Sequence, residues 1–284
     1  MMMKWTCLMC TEGQVVQTLP EGQEVWGVTL LAGEIYVLRW KERRCDQVEV
    51  YNVTSYRLER CLTVPNARGF TDMTSCEHYL CVYIGDPFVK CVHSLNVHGI
   101  STRFAVYDEP AGLSVNTAHN VLVTCPHVRK IKEFSSIGGL LREFSLPLVV
   151  VHPLHAIQTR SGQFVVCHGS RGDQIHRVCM ISADGHHIVH SHGGCRGIDS
   201  GQYSFPNHLA VDDNESVFVA DMENRRVRLL SPTLEYIRQV VSPDQLKWCP
   251  VRLYLDAKRR RLYAADCEWK VDKYAGGQVV VVSV

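Results

Sequence analysis

Histidine, cysteine and serine are the residues in this chain whose spacing could do chemistry, and each set falls short on its own. Within His186-His187-Ile188-Val189-His190-Ser191-His192, the side chains of His186, His190 and His192 would share one face of a strand. His190 and His192 would then stand roughly 6.6 Å apart along the strand, which is marginal for a single metal ion. Solvated histidines on an outer strand are the simpler expectation. Cys7 and Cys10 form a Cys-x-x-Cys with no second pair of matching spacing, and three positions apart on a strand they point in opposite directions. Gly169-Ser170-Arg171-Gly172 lacks the spacing of a nucleophile elbow, and no phosphate-cradling glycine loop is present. Arg171-Gly172-Asp173 spells an adhesion tripeptide, here expected to be a chance match.

The elements that would have to position such residues are short strands. Runs rich in Val, Ile, Leu and Tyr recur between Gly, Asp, Asn and Pro turns, and no long stretch has helical periodicity. The clearest unit is Phe205-Pro206-Asn207-His208-Leu209-Ala210-Val211-Asp212, then Val217 to Asp221, then Asn224 to Leu230, then Tyr236 to Val241: three turns joining four strands. Similar grammar starts at Pro250, Pro110 and Pro153, and weaker copies start near Gly27 and Asp72. The residue just before each first apolar run is Gly27, Asp72, Gly112, His155, His208 or Arg252, with steps of 45, 40, 43, 53 and 44. Four strands repeated at that period make an all-β, six-bladed β-propeller. An insertion over Gly193 to Tyr203 accounts for the long fourth step. The expected organisation is one domain over 1–284, with blades near 23–64, 70–106, 110–147, 152–193, 205–241 and 248–284. The last blade offers three strands of its own, so Gln14 to Leu19 is expected to close the ring as its fourth strand.

Residues 206–227, with Pro-x-x-apolar-Ala-Val-Asp, Val-Ala-Asp and Asn-x-Arg-Val, resemble an NHL repeat, the unit of the C-terminal propellers of tripartite-motif proteins. The resemblance spans the chain by spacing, and its specific residues concentrate after Pro206. It implies that Asp221, Asn224 and Arg226 brace the repeat through a partly buried ion pair. Asp266 holds the matching position in blade six, where Gln278 replaces the arginine. It also directs attention to the channel, where propeller enzymes place metals. Amidating lyases of similar fold use histidines directly after the blade-start proline; here Ala111, Leu154, Asn207 and Val251 stand there, and His155 and His208 come one position later. Gluconolactonase-like propellers hold calcium with Glu, Asn and Asp; Asn207 and Glu21 are the nearest matches. At most one or two ligands are thus recognisable where three are needed, so no metal and no other cofactor is expected.

The loops joining second to third strands carry twelve basic and nine acidic residues, a balance of +3 against +1 for the chain. Trp40, Arg43, Arg44, Arg129, Lys130, Arg225 and Trp269 lie in this set. Basic groups interleaved with aromatics suit a peptide or single-stranded RNA. With so modest a charge, a protein partner is expected first and RNA second. The resemblance implies the same kind of non-catalytic interaction module. A metal-dependent lyase or lactonase and a scaffold with no strong site are the alternatives. Lys258-Arg259-Arg260-Arg261 falls on the opposite side and is expected to be a solvated turn.

Bulk properties only bound these expectations. The charge of +1 gives no general attraction to DNA or anionic membrane. No apolar run is long enough for a spanning helix. Met1 to Cys10 is too short and polar for a signal peptide, and thirteen cysteines cannot all pair, so reduced thiols in a cytoplasmic monomer are expected.

Overall fold

The computed structural model describes residues 12–39, 47–270 and 273–284, with side chains described throughout except at 269–275. Cys7, Cys10, Trp40, Arg43 and Arg44 fall outside the described residues, as does the side chain of Trp269. The described strands form six four-stranded antiparallel sheets. Blade one comprises Val25–Leu31, Glu34–Arg39, Gln47–Asn52 and Leu58–Thr63; blade two comprises Met73–Cys76, Cys81–Asp86, Cys91–Asn96 and Ser101–Ala105. Blade three is Gly112–Val115, Val121–Cys125, Lys130–Phe134 and Leu140–Ser145; blade four is Pro153–Gln158, Phe164–His168, Ile175–Ile181 and Ile188–Cys195. Blade five is Pro206–Val211, Val217–Asp221, Arg226–Leu230 and Tyr236–Val241. Blade six joins Cys249–Asp256, Arg261–Lys270 and Lys273–Ser283 to the N-terminal strand Val15–Gly22. Each inner strand touches the next, and that of blade six returns to blade one.

The core follows from this stacking. A second strand is covered on both faces by neighbouring blades, so Val217–Asp221 and Phe164–His168 are buried at every position. Their sequences accordingly read as continuous apolar runs rather than as alternation. Outermost strands such as Leu58–Thr63 and Leu140–Ser145 are mostly exposed, and Glu59, Arg60, Arg142 and Glu143 charge those edges against pairing with other chains. The apolar clusters are layers shared by adjacent blades. Leu31, Tyr36 and Val50 of blade one pack with Met73, Val82 and Ile84 of blade two, and Leu122 and Ile131 of blade three pack with Ala156 and Phe164 of blade four.

Closure uses the N-terminal strand as the sequence indicates. Thr18 lies opposite Val280 and Leu19 opposite Val279, with Leu19 fully buried. The chain before it continues onto blade five, where the Gly13 amide donates to the Val240 carbonyl at 2.9 Å. A Cβ at Gly13 would come within 2.4 Å of Val282 and the Ser283 carbonyl, so only glycine fits that approach. The insertion before blade five is held down by arginines: Arg226 and Arg228 both donate to the Gln202 carbonyl, at 3.2 and 2.9 Å, and Arg228 donates to Ser200 O at 2.7 Å. Tyr203 is buried beneath it, with the Arg228 guanidinium 5.4 Å from its ring.

Since Val15–Gly22 supplies the outer strand of blade six and Leu19 is fully buried in it, Leu19→Asp is expected to destabilise the whole ring by several kcal/mol, the cost of burying an uncompensated charge. Deletion of residues 1–20 should do at least as much. Either is read as a lowered, single melting transition by circular dichroism; an unchanged transition would mean that the ring closes without this strand.

Candidate functional site

The inner strands carry their polar residues into the channel by one local device. In blades one, four, five and six a register shift occurs near the start of the inner strand, at Val25/Gly27, Pro153/His155, Pro206/His208 and Pro250/Arg252. Trp26, Leu154, Asn207 and Val251 are the extra residues of these bulges, and a bulge re-aims the side chain that follows it. The inward position therefore falls on Gly27, His155, His208 and Arg252. Asp72 and Gly112 fill the same ring position in blades two and three.

These residues meet around the Asp72 carboxylate, which is buried. Its Oδ2 accepts the Leu113 amide at 2.8 Å and lies 3.2 Å from His208 Nε2 and 3.8 Å from His155 Nε2. Its Oδ1 accepts the Met73 amide at 2.8 Å and lies 3.0 Å from Arg252 Nε. That last contact is an ion pair at an angle too bent for a hydrogen bond. Arg252 is anchored further by donating to the carbonyls of Val251 and Thr71. The imidazoles of His155 and His208 stack with centroids 3.8 Å apart. Glycine makes room for the cluster: a Cβ on Gly112 would stand 2.4 Å from Leu154 O, and one on Gly27 would stand 2.5 Å from Met73 Cβ. Burial opposes ionisation of Asp72, but His208 and Arg252 outweigh it and hold the carboxyl well below the usual range. Burial, then the neighbouring His208, pushes His155 down to about 3.

The sequence had suggested one or two ligands at the channel; the structure brings together three ligand-type side chains, Asp72, His155 and His208, with donor atoms within 4.8 Å of one another. Their hydrogen bonds do not suit a metal. The Leu253 amide donates to His208 Nδ1 at 3.3 Å, which places the ring proton on Nε2, facing Asp72. His155 Nε2 stands 2.9 Å from the Leu113 carbonyl and so also carries a proton. Both imidazoles thus turn N–H groups, not lone pairs, toward the centre. Arg252 already supplies the cation. Below the cluster a cavity of ≈ 180 Å³ runs between Val28, Leu209, Ala210 and Leu253.

Asp221, at the end of its strand, accepts the Ser204 amide at 2.8 Å, Asn224 Nδ2 at 2.9 Å and Arg226 Nε at 2.7 Å. In blade six Asp266 accepts the Lys247 and Trp248 amides, each at 2.9 Å, and Gln278 Nε2 at 2.8 Å, so an amide does the work of the arginine. Asp86 does the same in blade two, accepting the Arg68 amide at 2.7 Å, a role the sequence did not single out.

The described members of the basic face are not alike. Arg129 is exposed, with left-handed φ of 50°. Lys130 pairs with Glu143 at 2.5 Å. Arg225 donates to the carbonyls of Trp248, Pro243, Leu246 and Lys247, so its guanidinium ties down the crossover between blades five and six. Nor do the histidines of blade four gather: His186 precedes the strand that begins at Ile188, and His192 bonds the Tyr203 hydroxyl at 2.9 Å. Arg171-Gly172-Asp173 is fastened at both ends, Arg171 to Glu223 at 2.8 Å and Asp173 to His152 at 2.8 Å. Among the described residues no helix is long and apolar enough to cross a membrane.

No family model matches the sequence, and no curated protein matches it. Solved structures do. A Bacteroides thetaiotaomicron protein of unknown function shares 13% identity over 95% of this chain and 72% of its own, with a TM-score of 0.68. The virginiamycin B lyase of Staphylococcus aureus shares 11% identity over 96% of this chain and 100% of its own, with a TM-score of 0.63. Hydrazine synthase of Kuenenia stuttgartiensis shares 11% over 85% and 92%, with a TM-score of 0.61. At such identities the likeness is one of fold: a six-bladed propeller of the kind seen in virginiamycin B lyase.

Asp72→Asn leaves Arg252 buried without a counter-charge and is expected to cost about 3–5 kcal/mol in urea unfolding. Adding Arg252→Met should return part of that loss; equal stability of Asp72→Asn and the parent would show that the cluster does not brace the ring. Titration gives a second check. His155 is held down to about 3 and His168, by burial and then Arg177, to about 4, both below the unfolded value. The unfolded chain therefore takes up protons that the fold refuses, and stability present at neutral pH is lost as pH falls below about 6.5. The slope is at most about 1.4 kcal/mol per pH unit for each histidine. Unfolding free energy that stayed level down to about pH 4.5 would mean these histidines are protonated in the fold.

Proposed function

We propose that this propeller is a non-catalytic interaction module that holds a protein partner on the face bearing the loops between second and third strands and the connections between blades. The observation that carries this reading is a set of exposed apolar side chains on that face. Phe88 and Val128 come from second-to-third-strand loops, and Tyr107, Leu148 and Ile198 from connections between blades. Phe88, Tyr107 and Leu148 are 73%, 79% and 75% exposed. Up-and-down blades place both kinds of loop on one side. Glu109 and His127, 3.1 Å apart, link two of the loops across blades two and three. Exposed apolar residues ringed by charge are the composition of a protein interface rather than of a nucleic-acid groove. Arg129 and Lys130 would sit at the polar rim, with Trp40, Arg43, Arg44 and Trp269 as further contributors, whereas Arg225 is committed to its four carbonyls. In this role the chain would act as the propellers of tripartite-motif proteins do, recognising a surface on a rigid scaffold while loops set specificity. Single-stranded RNA is the weaker partner class.

The channel does not favour a lyase or lactonase reading. A substrate arriving there meets a carboxylate already neutralised by Arg252 and two histidines that present protons to internal acceptors.

Tyr107→Asp with Leu148→Asp places charge at the centre of the proposed surface. With melting unchanged, the pair should abolish most of the associations recovered by crosslinking from cells, as charge at an interface core costs about 2 kcal/mol or more. Arg129→Ala with Lys130→Ala should weaken them less. Retention of every association in the aspartate pair would sink the proposal, and tight, salt-sensitive binding of single-stranded RNA by the purified chain would replace it with an RNA-binding module.

A further inference from the structure

The opposite face carries a second feature that the interaction reading does not use. The turn joining the first two strands of blade six holds Arg259 and Arg260, with Arg261 opening the next strand; Arg260 has left-handed φ of 52°. Together with Arg238 of blade five they line a cleft of ≈ 530 Å³ whose other walls are Glu12, Gly13, Gln14, Ser283 and Val284. Its lining side chains carry four positive charges and one negative, and the Asp256 carboxylate paired with Arg259 lowers the local balance to +2, in a chain whose total is +1.

The guanidiniums of Arg259, Arg260 and Arg261 are anchored in a way that leaves donors over. Arg259 Nη1 pairs with Asp256 at 2.9 Å, and the Arg259 amide caps the same carboxylate at 3.0 Å, so the stem is fixed from two sides. Arg260 donates through Nε alone to the Val284 carbonyl, at 3.0 Å, and Arg261 through Nη1 to the Arg260 carbonyl, at 3.2 Å. An arginine has five N–H donors in a planar fork, and a fork held at one corner is pre-organised to grip a second acceptor. Glu12, the acidic side chain of the lining, is drawn aside by Gln239, whose Nε2 donates to it at 2.8 Å. A run of four basic residues read from sequence alone suggests a solvated turn; closure of the ring converts it into one wall of a cleft, because the N-terminal strand and the end of the last strand form the other.

We infer that this cleft binds a compact, multiply charged phosphoryl anion, free or as the headgroup of a lipid. Several guanidinium forks converging on a space of this size match phosphate groups carried on one small ring or chain. A single carboxylate would leave most of the charge unmatched.

The test uses the intact chain, with inositol hexakisphosphate as soluble probe and vesicles containing a phosphoinositide as membrane probe. Calorimetry at low salt should show stoichiometric binding of the soluble probe that weakens as salt rises. Arg260→Gln with Arg261→Gln, which removes no side-chain ion pair, should weaken it at least about tenfold while melting stays unchanged. Retention on vesicles that the soluble probe displaces identifies a lipid source; soluble binding without vesicle retention identifies a free anion. The inference fails if neither probe binds at low salt, or if binding survives the double substitution in a protein that melts like the parent.

Discussion

A buried carboxylate is tolerable only where donors surround it, and the donors around Asp72 come from three other blades. The amide of Leu113 belongs to blade three, the His208 imidazole to blade five and the guanidinium to blade six, while the His155 imidazole of blade four packs beside them and donates to the Leu113 carbonyl. Blade one contributes by having no side chain at Gly27 to obstruct the approach. A single residue of blade two is therefore the point at which five other blades are registered against one another near the axis. Aromatic or aliphatic residues there would fill the space equally well, but they would not fix the angular order of the strands. The hydrogen bonds and charge at Asp72 are directional and cannot be satisfied by a ring that has slipped.

The same logic runs at larger radius. A residue at or near the end of the second strand faces the segment that enters the blade, and that segment arrives with backbone groups to satisfy. Asp86, Asp221 and Asp266 meet amide donors there. Arg39 holds the corresponding position in blade one and meets carbonyls instead, donating to Pro20, Gln23 and Gly277. Sign follows partner: the residue type is dictated by which half of the peptide unit the incoming segment presents. A repeat can thus lose its signature residue and keep its function in the fold, which is why blade one resembles the others by spacing and not by identity.

Strand number, blade count, the insertion before blade five and the closing strand were all legible in the sequence, because each leaves a local trace: apolar runs, turn residues and a period. Asp72 left none. It was visible as a position in the repeat, but its partners lie 83, 136 and 180 residues away, and the bulges that turn His155 and His208 inward leave no mark of their own in the sequence. Arg225 shows the opposite failure. Its place in a basic loop suggested a free side chain, and only the path of Pro243 to Trp248 reveals the carbonyls that occupy it. Charge and exposure can be guessed from composition, but whether a guanidinium is free depends on which distant backbone comes to lie beside it.

The cluster around Asp72 has one more effect. With His155, His208 and Arg252 packed against it, all four polar side chains are buried where the inner strands meet. The face with the loops between second and third strands and the face with the arginine turn of blade six are joined by rigid blades, and the partner and the anion proposed for them would share no binding residue.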